Sequence, residues 1–299
     1  MKKGLLLGLI LAFLLTVLVG CDSQNSPDGT EAQPDTNFSK FDLNTGYDSA
    51  DVTTITLAQG KSTTDRPEQV KIESRAVTIT APGTYLVSGE MTNGMLIIAV
   101  EKTEKVHIIF NGVRISSKLG APFHVKSADK VCVTLAEGTE NELEDASSYL
   151  YASTVENVPT ACMYSQDDLT INGTGTLRVT GSYNNGIASK DDLKIVSGTI
   201  EVTAIKNAIK GKKSIKIRDG NITVTTASGD AFKSDATKEG QGNIYVYGGT
   251  IHLTAADDGF QASNEVVLYA GTITAIVGDK LYNATTYDVF DACTVMQQN

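Results

Sequence analysis

The chain has 299 residues, 35 acidic against 25 basic side chains, and a formal net charge of −10. That balance argues against nucleic acid as a partner, because phosphate binding needs a basic patch. Tryptophan is absent, there are only 6 prolines, and glycine is abundant at 27 residues, a composition suited to one large all-β domain.

The N-terminus opens with Lys2 and Lys3, followed by the almost wholly apolar run from Leu5 to Val19. That order is a secretion signal, and the run falls short of the ~20 residues that a membrane-spanning helix needs. Leu18-Val19-Gly20-Cys21 resembles the bacterial lipobox, which implies a lipoprotein signal segment over residues 1–21, cut before Cys21, and a lipid on that cysteine. The mature chain is therefore expected outside the cytoplasm, held to the membrane by acyl chains at about 0.8 kcal/mol per buried CH₂. Residues 22–45 are rich in Ser, Asn, Pro, Asp and Gln and predict a disordered tether. Cys132, Cys162 and Cys293, an odd and scattered set, predict buried free thiols rather than a disulfide framework.

From residue 46 to 280 the pattern is that of a solenoid. In the first half Val77–Thr80, Met95–Val100, Val106–Phe110, Val131–Leu135 and Leu169–Ile171 read as strands, and the polar stretch Gly138–Tyr151 reads as a loop or short helix leaving the coil. The second half repeats. Gly198, Gly220, Gly249 and Gly271 centre four similar segments spaced by 22, 29 and 22 residues, all of which read Gly-Thr-Ile or Gly-Asn-Ile. A second series, Asn185, Asn207, Asp230 and Asp258, is spaced by 22, 23 and 28 residues. Both series lengthen at one place, so a single bulge near Lys238–Gly242 explains both.

Within each repeat the apolar residues alternate with period two in three short runs, as in Leu193 and Ile195, Ile200 and Val202, then Ile209. Three half-buried strands per repeat cannot bury their apolar faces alone, so successive repeats must stack. The predicted fold is a single-stranded right-handed parallel β-helix with coils of about 22 residues, each rising one strand spacing of about 4.8 Å. A β-sandwich also supplies frequent strands but gives no reason for a fixed Gly-Thr-Ile interval. After Asp279 the pattern stops, and residues 281–299 read as an irregular C-terminal segment or cap.

Several motifs occur together: Asn111-Gly112-Val113, the run Leu135–Asn141, the run Asp167–Leu177, Asn185-Gly186-Ile187 and Asp257-Asp258-Gly259-Phe260. Together they resemble the carbohydrate-binding lipoprotein family of Clostridia and related bacteria, over roughly residues 50–277. The resemblance implies a parallel β-helix like that of polysaccharide lyases, bound calcium, and binding of cellulose-like and pectic polymers without an established catalytic activity. The family's acidic Asp-Gly-Ile repeat is Asn at 185 and 207 here, and its glycine is Ala at 208 and 231.

The register places Asn185, Asn207, Asp230 and Asp258 in one corner column. Such a column serves either as a ladder satisfying tight-turn backbone or as a Ca²⁺ site built from hard oxygens. The ladder suits the asparagines. Asp230, Asp257 and Asp258, with Asp235 and Asn207 nearby, point to a metal, since unneutralised carboxylates one coil apart repel.

On the outward face of the first strand in each coil, one column reads Lys194, Lys216, Tyr245, Val267 and its neighbour Val196, Arg218, Tyr247, Tyr269. Tyrosine rings can stack on sugar faces and the cations can pair with uronate carboxylates; equally, such residues are ordinary on a half-exposed sheet. A calcium-dependent lyase would need a basic side chain to abstract a proton, and Lys210 and Lys233, in one column beside the acidic ladder, are its candidates. A structural or adhesive surface protein without a sugar ligand is the third reading. The scattered His107, His124 and His252 support no catalytic triad, and no Cys/His spacing suggests zinc.

Overall fold

The computed structural model describes residues 37–150 and 158–298; the signal segment, Cys21 and most of the expected tether lie outside them. Parallel strands stack as a β-solenoid of about nine turns with no α-helix among the described residues. Each regular coil contributes one short strand to each of three walls. The coil at residues 185–204 is typical: Asn185–Ser189 lies in the first wall, Asp192–Ile195 in the second and Thr199–Ala204 in the third.

Inward side chains repeat from coil to coil and fill the lumen as rows. Leu193, Ile215, Ile244 and Val266 stack in the second wall, and Ile200, Ile222, Ile251 and Ile273 in the third. In the first wall Ile187, Ile209, Phe232 and Phe260 form the row, the last two with rings 5.0 Å apart and nearly coplanar. Nearly all of these are fully buried, and each contributes about 1.5–3 kcal/mol of transfer free energy. Since every rung is flanked by like rungs, the period-two apolar pattern is what specifies both the strands and their stacking.

The corner between the second and third walls explains the glycine repeat. Gly198, Gly220, Gly249 and Gly271 all have positive φ, from 94° to 127°, and the amide of the following residue donates to the carbonyl of the glycine one coil earlier. A Cβ at Gly249 would lie 2.8 Å from the Gly220 carbonyl oxygen. The column therefore needs glycine for both the left-handed conformation and the close approach of backbone. The expected bulge near Lys238–Gly242 is present, between Phe232–Ser234 and Asn243–Val246.

Three expectations are corrected. The stretch expected to leave the coil runs from Gly138 to Tyr151, the last of which lies outside the described residues. Within it Glu140–Asp145 stays in the coil as a third-wall strand, parallel to the chain on both sides. Its inward positions carry Asn141, Leu143 and Asp145, so the alternation is real but mostly polar. Asn141 accepts from the amides of Gly112 and Val113 at 3.0 and 2.9 Å, and Asp145 from those of Ser182 and Tyr183. The C-terminal segment is likewise not irregular. It forms a further coil, in which Cys293-Thr294-Val295 takes the positions of Gly271-Thr272-Ile273. Cysteine in place of the corner glycine hid that repeat.

The third correction concerns the tether. Residues 37–44 pack against the outer face of the second wall, with Phe38 at 4% and Asp42 at 0% exposure. Two aromatic side chains and a carboxylate with waiting cations supply the contact energy that the polar composition concealed. The N-terminal end of the solenoid carries antiparallel strands, Thr63–Thr64 on Thr53–Leu57 and Val70–Glu73 on Ala76–Ile79. Cys132 and Cys162 are buried free thiols, as expected, and Cys293 is buried as well.

Candidate functional site

The outward columns of the second wall form as the spacing predicts. Lys194, Lys216, Tyr245 and Val267 are consecutive register partners. Two residues on, Tyr247 and Tyr269 stack with ring centroids 4.9 Å apart and planes 9° from parallel. Tyr245 lies 6.4 Å from Tyr247, and Phe290, from the final coil, continues the run 5.2 Å beyond Tyr269. Coil stacking holds neighbouring rings in fixed spacing, so the aromatic row is preorganised rather than assembled on binding.

Beside this row is a groove of about 440 Å³ whose lining includes Asn37, Lys216, Asn243, Tyr245, Tyr247 and Tyr269. The Tyr245 hydroxyl donates to Glu265 and the Tyr247 hydroxyl accepts from the Asn37 amide at 2.7 Å. Burial raises the pKa of both phenols, so both stay neutral donors. Lys216 is half-buried and makes no ion pair among the described residues. Burial lowers its pKa against the opposing pull of Asp192, with Lys194 adding repulsion. The site thus offers flat rings, neutral hydroxyls and one cation short of an anion.

Lys194 does not belong to that open surface, although the columns placed it there. It is 8% exposed, its ammonium 3.1 Å from Asp42 Oδ2 and 5.7 Å from the Phe38 ring centre. The other Asp42 oxygen accepts from Lys130 Nζ at 2.9 Å and Thr170 Oγ1 at 2.7 Å. These bonds hold the Asp42 carboxyl far below the usual carboxylate range despite its burial. Arg218 stays in the row with Tyr247, partly exposed. Asn37, Phe38, Asp42, Lys130 and Thr170 escaped the sequence reading. Phe38 and Phe41, the aromatic pair in an otherwise polar stretch, were the available signal.

The corner column forms as a ladder. Asn207 Oδ1 accepts the Asp230 amide and its Nδ2 donates to Asn185 Oδ1; Asp230 Oδ1 accepts the Asp258 amide, and Asp258 Oδ1 that of Lys280. At its C-terminal end, oxygens of Asp230, Asp257 and Asp258 all lie within 4.8 Å of one another. Burial, then the charges of Asp230, Asp258 and Asp279, raise the pKa of the exposed Asp257. One ammonium, Lys233, opposes them, 2.9 Å from Asp230 Oδ2. Three hard anionic oxygens facing a single cation fit a divalent ion of the calcium type. Asp235 lies outside that group and pairs with Lys210, and Asn207, which brings no charge, has its side chain committed to the ladder. Lys210 and Lys233 do stack in one column, each held by a carboxylate.

The family described as carbohydrate-binding domain-containing protein matches residues 73–294. A protein of that description from Acetivibrio thermocellus is 39% identical over 150 residues, 50% of this chain and 52% of the relative. The chain thus matches about half the length of that curated relative. A solved structure, described as the polysaccharide lyase-like protein from C. thermocellum in a gadolinium derivative, superposes with a TM-score of 0.79 at 34% identity, over 83% of this chain and 99% of that one. The stacked coils, the aromatic row and the match across almost the whole solenoid lead to one statement: the chain belongs to the family of carbohydrate-binding domain-containing proteins.

Proposed function

We propose that the protein binds polysaccharide along the outer face of the second wall, in the groove beside Tyr245, Tyr247 and Tyr269. The observation that carries this reading is the row of stacked rings next to Lys216, which makes no ion pair among the described residues. Rings stacked on one another from coil to coil turn their edges and hydroxyls toward a sugar chain lying in the groove, and Lys216 is placed to pair with a uronate carboxylate. Pectic, uronate-rich chains therefore fit better than crystalline cellulose, for which the absence of tryptophan leaves little flat stacking area.

Asp230, Asp257 and Asp258 would hold calcium, which would neutralise the carboxylates at the end of the ladder and so stabilise the last coils. A lipid on Cys21 would keep the protein at the cell surface, outside the cytoplasm. The role is binding rather than turnover: Lys210 and Lys233, the bases a lyase would require, are engaged by Asp235 and Asp230. The test is retention on a panel of polymers, with polygalacturonate and cellulose as the two poles. Retention by polygalacturonate supports the reading. Retention by no polymer would favour an adhesive role, and release of unsaturated uronate would establish a lyase.

A further inference from the structure

The outer face of the second wall carries the groove on one side and, on the same columns, the segment 37–44. That segment crosses the coils from Tyr247 to His107. Asn37 bonds Tyr247, Phe38 packs edge-on to the same ring at 5.9 Å, Asp42 sits over Lys130, Thr170 and Lys194, and Phe41 meets His107. Lys194 and Lys216 are adjacent rungs of one column. One is filled by an internal carboxylate and the other is open to the groove.

What lies beneath the segment is largely polar. Besides Lys130 and Lys194 it comprises the Cys132 thiol, Thr134, Thr170 and Asn172, whose amide donates to the carbonyls of Asp42 and Asn44 at 2.9 Å each. A permanently covered face would gain from apolar groups, since a buried ion pair is commonly matched or bettered by hydrophobic packing of the same volume. A face that meets water when its cover departs must instead be polar. The cover itself has only two aromatic anchors, and its internal order is one turn, with the Leu43 and Asn44 amides bonded to Ser39 and Phe41 and the Ser39 amide to Asp42.

We propose that residues 37–44 form a displaceable strap whose Asp42 carboxylate occupies a second carboxylate site, on Lys130, Lys194 and Thr170, and that an acidic polysaccharide seated in the groove displaces it. This rests on the groove being the polymer site. A bound chain reaching Lys216 meets Lys194 on the next rung, and its many carboxylates compete with the one carboxylate that the strap offers. Opening the strap reduces the apparent affinity of an acidic chain by the fraction of molecules already open. A neutral chain has no carboxylate with which to claim those lysines.

Hydrogen exchange of the Ser39, Leu43 and Asn44 amides, with and without saturating polygalacturonate, reads the strap directly in the unaltered protein. Exchange at these amides is expected to accelerate when the polymer is bound and to stay unchanged with soluble hydroxyethylcellulose. Asp42→Ala, and Asp42→Asn as the isosteric check, should raise polygalacturonate affinity on the order of tenfold. Polygalacturonate binding with unchanged exchange at these amides overturns the strap and leaves the groove reading intact. Failure of the wild type and both variants to bind polygalacturonate overturns both.

Discussion

The carboxylate of Asp42 lies 3.1 Å from the ammonium of Lys194, 152 residues further along the chain. This contact, with its partners Lys130 and Thr170, ties the N-terminal segment to the wall that carries the tyrosine row. Its pH dependence has a definite sign. Asp42 titrates lower in the folded protein than its ordinary 3.8, so its contribution is present above that value and is lost as pH falls. His107, beside Phe41, acts earlier. Burial lowers its pKa from 6.5 to about 4, so its neutral form stabilises the fold fully above pH 6.5. That contribution disappears as pH falls toward 4 and amounts to roughly 3 kcal/mol. Thermal melts by circular dichroism should show Tm falling between pH 6.5 and 4 and again below 4. His124, lowered by burial from 6.5 to about 4 as well, acts in the same window, so His107→Asn should reduce the upper step by about half.

Lys216 should discriminate acidic from neutral polymers. Lys216→Ala is expected to weaken polygalacturonate retention about fivefold, near 1 kcal/mol for a partly screened charge-assisted contact, without changing cellulose retention. Burial places the lysine below its ordinary 10.5. Wild-type retention of polygalacturonate should therefore fall as pH rises through that lowered value, while Lys216→Arg should hold it to higher pH.

Gly249 tests the corner column. Gly249→Ala puts a Cβ 2.8 Å from the Gly220 carbonyl oxygen at φ 94° and should cost about 1–3 kcal/mol in a denaturant melt. Gly240, on the bulge, also has positive φ but has nothing within 4 Å of a built Cβ. Gly240→Ala should cost distinctly less, which separates steric approach from conformation.

The carboxylate cluster predicts a response to metal. Chelation should lower Tm, and added Ca²⁺ should raise it by mass action on the folded state. Asp257→Asn should abolish that calcium response. Because desolvation and then the neighbouring carboxylates raise the Asp257 pKa, the variant should be no less stable than the wild type in chelator.

The stacked coils were legible because two independent signals agreed: the glycine column, fixed by backbone contact, and apolar alternation, fixed by the lumen. The tyrosine row followed from the same register, and so did the pairing of Lys210 with Lys233. Coils whose inward positions are polar, such as Asn141 and Asp145, or whose corner glycine is replaced, as at Cys293, carried only one signal or neither. Lys194 was misjudged for a different reason. Register fixes which wall face a side chain takes, but a segment distant in sequence decided whether that face meets water. Composition made residues 37–44 look unfoldable; a few specific contacts, Asp42 above all, outweighed it.

The most direct measurement is affinity electrophoresis in polygalacturonate gels of the wild type and a Tyr247→Ala, Tyr269→Ala double variant. Each lost ring should remove about 0.5–1.5 kcal/mol of stacking, so the wild type should be retarded and the double variant retarded on the order of tenfold more weakly, with a cooperative melt retained and Tm lowered only by the lost ring and strap contacts. Equal retardation of the two proteins would place the polymer elsewhere on the solenoid and contradict the assignment of the second wall.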